Sequence, residues 1–223
     1  MKNEKTTLNI AIDGPAGSGK STVAKLIAKE LSIAYLDTGA MYRALGLKAC
    51  INGISVFDEQ AVTAMLKETC IDIKYDGGVQ HLFLDGEDVG LRIRENHISQ
   101  LASDISKIHA VRLAMVDLQR KIASERDCVL DGRDIGSFVL PNAKHKIFLT
   151  ASIEERAKRR HKELLSRGET VILDELTKDI ATRDQNDMTR DFAPLVKAKD
   201  AIEIDTTKMS IGEVVRSILS YIK

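Results

Sequence analysis

The chain has 223 residues, with 43% hydrophobic and 30% charged side chains, proportions of an ordinary globular protein of one fairly large domain, or one domain with inserts. Its 33 acidic and 33 basic residues cancel, which excludes a general nucleic-acid coat, because that needs a basic excess. No window approaches the run of about 18 apolar residues that a membrane-spanning helix requires, so neither a nucleic-acid polymer nor a membrane is expected as a partner.

The first residues, Met1 to Thr7, run straight into an apolar stretch, and no signal peptide is expected. Leu8 to Ile12 reads as a short buried strand, and Ser21 to Leu31 as a helix. Between them stand Gly14, Pro15, Ala16, Gly17, Ser18, Gly19, Lys20, Ser21 and Thr22, with the spacing G-x-x-x-x-G-K-[ST] of a phosphate-binding loop. Its glycines let the backbone approach a ligand closely, so that N–H groups converge on phosphate oxygens at the positive end of a helix. Lys20 adds a point charge at the outer phosphates, and the Ser21 hydroxyl is suited to Mg²⁺. The alternative, a glycine-rich turn without a ligand, does not explain why strand, loop and helix follow in that order.

Ala34 to Asp37 reads as a second strand leading into a helix that Asn52-Gly53 ends. Thr38 is either a helix cap or a ligand-binding hydroxyl. Arg43 lies near the start of that helix, where the dipole favours anions, so an anion is expected between the two. Glu59 to Thr69 has helical spacing. Ile71 to Tyr75 and Val79 to Leu84 then read as strands, separated by a turn at Asp76-Gly77-Gly78 and followed by another at Asp85-Gly86. This small antiparallel module interrupts the β-α alternation, and His81 within it is read as a surface or cross-strand residue rather than a ligand. Glu95 to Ile105 and His109 to Glu125 read as helices, on which Ser103 and Arg112 are unremarkable by themselves.

Cys128 to Leu130 reads as a third strand of the main sheet, ending in Asp131-Gly132-Arg133-Asp134. A surface ion pair is the plain explanation of those charges. The carboxyl end of a strand in an open α/β sheet is, however, where ligands bind. Lys146 to Leu149 is a fourth strand. Ser152 and Glu155 form a capping-box pattern at the head of a helix crowded with Arg156, Arg159, Arg160 and other cations, with few acidic partners in sight. Leu173 to Asp187, a strand from Ala201 to Asp205 and a closing helix from Ser210 complete the order. Cys50, Cys70 and Cys128 are far apart and show no metal spacing, so buried packing in a reducing cytoplasm is their expected role. The alternation predicts an α/β fold built on five parallel strands with helices on both faces.

A bound nucleoside triphosphate calls for an acceptor of its terminal phosphoryl group. Arginine forks neutralise such charge, and Arg43, Arg133 and Arg190 are candidates to hold an anionic acceptor. No histidine or carboxylate is placed as a general base, which favours an acceptor that is already a phosphate.

The stretches Ile12 to Thr22, Asp37 to Arg43, Asp131 to Gly136 and Arg183 to Leu195 together resemble the bacterial cytidylate kinases, and they span the chain in that family's order. The resemblance implies a P-loop kinase fold in which ATP and Mg²⁺ bind the loop and the γ-phosphoryl group passes to CMP or dCMP. It implies that Arg43, Arg133 and Arg190 hold the acceptor phosphate, with Thr38 and Asp131 nearby. Ser103, Arg112 and Asp134 would read cytosine, and Arg183 and Asp187 would contact ribose. Arg156, Arg159 and Arg160 would belong to a lid. It divides the chain into a core (about 1–37, 126–152 and 191–223), a monophosphate-binding module with the β insert (about 38–125) and a helical lid (about 153–190). A cytoplasmic monomer is expected. A related kinase acting on UMP, or a nucleotide-dependent switch, are the other readings; the chain lacks the N-K-x-D sequence by which guanine switches read their base.

Overall fold

A computed structural model describes residues 7–76 and 79–222. The expected turn at Gly77-Gly78, the residues before Thr7 and the end of the last helix at Lys223 lie outside that range. The elements in order are β1 (Asn9–Asp13), α1 (Lys20–Leu31), β2 (Ala34–Asp37), α2 (Thr38–Ile51), α3 (Glu59–Lys67), β3 (Ile71–Asp76), β4 (Val79–Leu84), β5 (Glu87–Asp88), α4 (Asn96–Ile105) and α5 (His109–Glu125). They continue with β6 (Cys128–Asp131), β7 (His145–Thr150), α6 (Ile153–Ser166), α7 (Leu173–Thr189), β8 (Ile202–Asp205) and α8 (Ile211–Ile222).

The main strands form the expected five-stranded parallel sheet, in the order β2-β6-β1-β7-β8. They are apolar runs rather than alternating ones because a parallel strand is covered on both faces. Ile10, Ala11 and Ile12 of β1 and Val129 and Leu130 of β6 are accordingly inaccessible to solvent. Ile12 of β1 lies opposite Ile147 of β7, and Ile147 opposite Ile202 of β8.

The chain forms two compact units. One comprises 7–8 and Leu31–Cys128. Its small sheet, β3-β4-β5, is antiparallel, with Ile71 facing Leu84 and Ile73 facing Leu82. His81 is a cross-strand residue as expected, 3.3 Å from Asp88. The cap of α2 corrects the sequence reading. Asp37, not Thr38, is the N-cap, and its Oδ1 accepts from the Ala40 N–H at 2.9 Å. A carboxylate outcompetes the hydroxyl beside it because its charge also meets the positive helix end. Cys50 and Cys70 lie exposed, so only Cys128 has the buried packing role expected of all three.

The other unit comprises Asn9–Glu30 and 129–222. The capping box at α6 forms by half. Ser152 Oγ accepts from Glu155 N–H at 3.2 Å, but the Ser152 N–H donates to Thr207 Oγ1 and the Glu155 carboxylate is taken by Arg159. A complete box, not anticipated from the sequence, opens α8, where Ser210 N–H donates to Glu213 Oε2 and Glu213 N–H to Ser210 Oγ. The cations of α6 are also better balanced than expected, because Glu163 pairs with both Arg160 and Arg167. One acidic residue flanked at i−3 and i+4 serves two arginines.

Candidate active site

In the second unit the phosphate loop leaves β1 at Gly14, whose φ is +143°. A Cβ there would lie 2.0 Å from the Leu149 carbonyl oxygen of β7, so only glycine lets the chain turn against the neighbouring strand. Lys20, the first residue of α1, is buried. Its Nζ donates to the Pro15 carbonyl at 2.6 Å and to Ser18 Oγ at 3.3 Å, folding the side chain back over its own loop. Burial, followed by the repulsion of Arg133, holds its pKa well below the ordinary lysine range.

Ser21 Oγ donates to Asp131 Oδ2 at 2.7 Å, which links the loop to the end of β6. The Gly132 N–H that follows donates to the Ile12 carbonyl at 3.0 Å. Asp13, the last residue of β1, reaches the same turn. Its two carboxylate oxygens accept from the N–H groups of Ile135 and Gly136, at 2.8 and 2.7 Å, at the head of a short π-helical turn, Ile135–Val139. Burial pushes the Asp13 carboxyl up to about 6, although both N–H donors and Lys20 favour its charge.

That turn and the end of α7 bring four charged residues into alternation. Arg133 Nε donates to Asp187 Oδ2 at 2.7 Å. Asp187 Oδ1 lies 3.9 Å from Arg190, whose Nη2 donates to Asp134 Oδ1 at 3.3 Å. Burial alone would raise the Asp187 carboxyl, but Arg133, Arg183 and Arg190 outweigh it and hold it below the carboxylate range. Burial likewise opposes the Arg133 charge, and Asp187, Asp184 and Asp131 overcome it. Arg190 also donates from Nε to the Ala193 carbonyl at 2.6 Å.

Helix α6 presents its cations to the loop on two sides. Arg156 is buried and donates to the Ala16 carbonyl at 2.9 Å. Arg159 donates to Thr206 Oγ1 and to the Thr206 carbonyl, at 3.0 and 2.7 Å, and Thr206 Oγ1 in turn lies 3.4 Å from the Ser18 carbonyl. Arg160 pairs with Glu163 at 2.8 Å.

In the first unit, Arg43 Nη2 donates to Asp37 Oδ2 at 2.9 Å. The cation near the start of α2 is thus matched by the N-cap carboxylate, and the Asp37 N–H donates to Gln80 Oε1 of β4 at 2.7 Å. Thr38 is the buried first residue of α2. Arg112 of α5 is only 2% exposed, and its guanidinium lies 5.7 Å from the centre of the Tyr42 ring. Ser103 of α4 is buried, and its carbonyl accepts from Ser106 Oγ.

The structure thus brings together Lys20, Ser21, Asp131, Arg133, Asp134, Arg183, Asp187 and Arg190 in one unit, and Thr38, Arg43, Ser103 and Arg112 in the other. Sequence reasoning missed Asp13, Asp184 and Gln80. Asp13 did carry a signal, a lone charge between an apolar strand and a glycine. Gln80 carried none.

A profile of the family described as Cytidylate kinase matches residues 10–223. A cytidylate kinase of Caldicellulosiruptor bescii is 54% identical over 212 residues, 95% of this chain and 94% of that protein. One from Geobacillus sp. is 52% identical over 218 residues, 98% of this chain and 97% of that protein. Among solved structures, an uncharacterized protein from Eubacterium ventriosum superposes with a TM-score of 0.52 at 15% identity, covering 98% of each chain, a likeness of fold alone. With half of all positions shared over nearly the full length of both kinases, and with the phosphate loop and the charged turn formed as described, this chain belongs to the cytidylate kinase family.

Proposed function

We propose that the protein transfers the γ-phosphoryl group of ATP to CMP or dCMP, giving ADP and CDP or dCDP. One observation carries the reading beyond family membership. Ser21 Oγ donates to Asp131 Oδ2 at 2.7 Å, so the loop suited to the donor's outer phosphates is tied to the turn that carries Arg133, an arginine suited to an acceptor phosphate. Phosphoryl transfer is chiefly positioning and neutralisation, which this arrangement supplies.

Lys20 would leave the Pro15 carbonyl for the β- and γ-phosphate oxygens, and the incoming charge would restore its proton affinity. Arg43, Arg133 and Arg190 are assigned to the acceptor phosphate, with Thr38 and Asp131 nearby. Ser103, Arg112 and Asp134 are assigned to cytosine, whose amino group donates where uracil carries an acceptor. Arg183 and Asp187 are assigned to ribose. Arg156, Arg159 and Arg160, within a lid of about 153–190, are assigned to neutralising charge on the donor side. Residues of about 38–125 form the acceptor module in this reading, and the remainder the core. The acceptor phosphate is itself the nucleophile, so no general base is required.

The residues present fit Mg²⁺. The Ser21 hydroxyl and the Asp131 carboxylate are hard oxygen donors already 2.7 Å apart, a pairing suited to an ion that keeps water and takes its other ligands from phosphates. When bound, Mg²⁺ would neutralise charge between the outer phosphates. No helix among the described residues is long and apolar enough to cross a membrane, and we place the protein in the cytoplasm as a monomer acting on nucleotides rather than polymers.

The test is ADP formation from Mg-ATP with CMP, dCMP, UMP, AMP, GMP or no acceptor. Turnover with CMP and dCMP above all others is expected. Equal turnover with UMP would overturn the base assignment, and turnover without an acceptor would overturn the kinase reading.

A further inference from the structure

The phosphate loop is held by a buried ion pair, one member of which, Asp184, the family resemblance leaves without a role. Asp184 of α7 is buried, and its Oδ1 accepts from the Ala16 N–H at 3.2 Å. Its Oδ2 accepts from Arg156 Nη1 of α6 at 2.5 Å. The same Nη1 donates to the Ala16 carbonyl, and Arg156 Nε donates to the Ala151 carbonyl at 3.0 Å just before α6. Both backbone polar groups of Ala16 are therefore held by one ion pair. At the next residue, Gly17, a Cβ would lie 3.1 Å from the Cβ of Arg156, so the helix and the loop are in direct contact.

Two physical consequences follow. A backbone N–H committed to a carboxylate behind the loop cannot turn toward a ligand, and its orientation constrains the peptides after it, whose N–H groups must converge on phosphate. A carboxylate this close to the loop would also repel a triphosphate unless neutralised. Arg156 neutralises it through a charge-assisted bond between two buried side chains.

We infer that Asp184 is a positioning residue of the donor site, fixing Ala16 in the orientation that leaves the following N–H groups free for the phosphates of ATP, with Arg156 as the counter-charge that makes a carboxylate tolerable there. The inference rests on the proposed function for the identity of the donor. The bonds of Asp184 run to Ala16 and Arg156, so it would act through the loop. It stands on the helix that carries Arg183 and Asp187, yet its bonds run to the donor loop. Its loss should therefore be felt on the donor side.

The experiment compares wild type with Asp184→Ala, Asp184→Asn, Arg156→Met and the double variant Arg156→Met/Asp184→Leu. Steady-state kinetics are run against each substrate, and affinity for a non-hydrolysable ATP analogue is measured by calorimetry with the intact protein. Asp184→Ala is expected to raise the KM for ATP and the dissociation constant of the analogue about tenfold, with the KM for CMP within about twofold. Arg156→Met is expected to weaken analogue binding more than the double variant does, because it alone leaves a bare buried carboxylate behind the loop. Thermal unfolding controls for folding, and Asp184→Asn supplies a variant that keeps an acceptor for the Ala16 N–H if Asp184→Ala does not fold. Unchanged analogue affinity in the folded Asp184 variants, or equal rises in the KM for both substrates, would overturn the inference. Absence of CMP-dependent turnover in wild type would instead overturn the proposed reaction, and the analogue isotherms would still decide the role of Asp184.

Discussion

Ser21 Oγ and Asp131 Oδ2 stand 2.7 Å apart, one at the start of α1 and the other at the end of β6. The bond fixes the hydroxyl's orientation and gathers two oxygen donors at the mouth of the phosphate loop. If that pair holds Mg²⁺ with the nucleotide, Asp131→Asn keeps the shape and removes the charge. The Mg²⁺ concentration for half-maximal activity should then rise by about 10- to 100-fold, as measured by titrating Mg²⁺ at saturating ATP and CMP. An unchanged midpoint would place Asp131 elsewhere in the mechanism.

Lys20 is a buried cation whose charge the folded protein disfavours. Its folded pKa lies below the ordinary lysine value, so stability should rise as pH climbs from the one toward the other. Lys20→Met removes the buried charge and keeps most of the stem's packing. The variant should be at least as stable as wild type near neutral pH, while turnover falls by at least about a hundredfold for want of a charge at the outer phosphates. Chemical denaturation and ADP assays together test both halves. Near-normal turnover in a folded Lys20→Met protein would remove Lys20 from the mechanism.

Asp13 gives a pH dependence of definite sign. Burial pushes its carboxyl from the ordinary 3.8 up to about 6, so between those values the folded state binds more protons than the unfolded one. Stability therefore falls as pH rises through that window and levels off above it. The contribution is on the order of 3 kcal/mol from the size of the shift. Asp13→Asn has no such titration. The stability difference between wild type and variant, from urea unfolding at several pH values between about 4 and 7, should move against wild type as pH rises. A flat difference would mean that the two N–H bonds from Ile135 and Gly136 outweigh the burial.

The main sheet was legible because a parallel strand advertises itself as a short apolar run and the loop between β1 and α1 carries a spaced signature. Asp131, Arg133 and Asp134 were legible as charges at a strand's end. Asp184 was not, although it lies inside a recognised stretch, because its function depends on Arg156, 28 positions earlier. Gln80 was illegible for the same reason, since its partner is a backbone N–H at Asp37. Thr38 misled because the preference for a cap is shared by neighbours, and Asp37, one residue earlier, takes both the non-helical backbone and the capping bond to Ala40.

Asp134 offers the sharpest test of base recognition. It is buried, and one of its oxygens accepts from Arg190 at 3.3 Å, while a carboxylate accepts several bonds at once and is suited to the amino group of cytosine. An amide in its place keeps a carbonyl acceptor but adds a donor, and the O4 of uracil accepts where cytosine donates. Asp134→Asn should therefore lower the ratio of kcat/KM for CMP over UMP by about 10- to 100-fold, the range that one good contact to a base edge is worth. Part of that change should come from improved use of UMP, which distinguishes a reader of the base from a residue that merely holds Arg190. If instead both acceptors lose efficiency equally, Asp134 serves the phosphate site through Arg190, and the discrimination must be sought at Ser103 and Arg112.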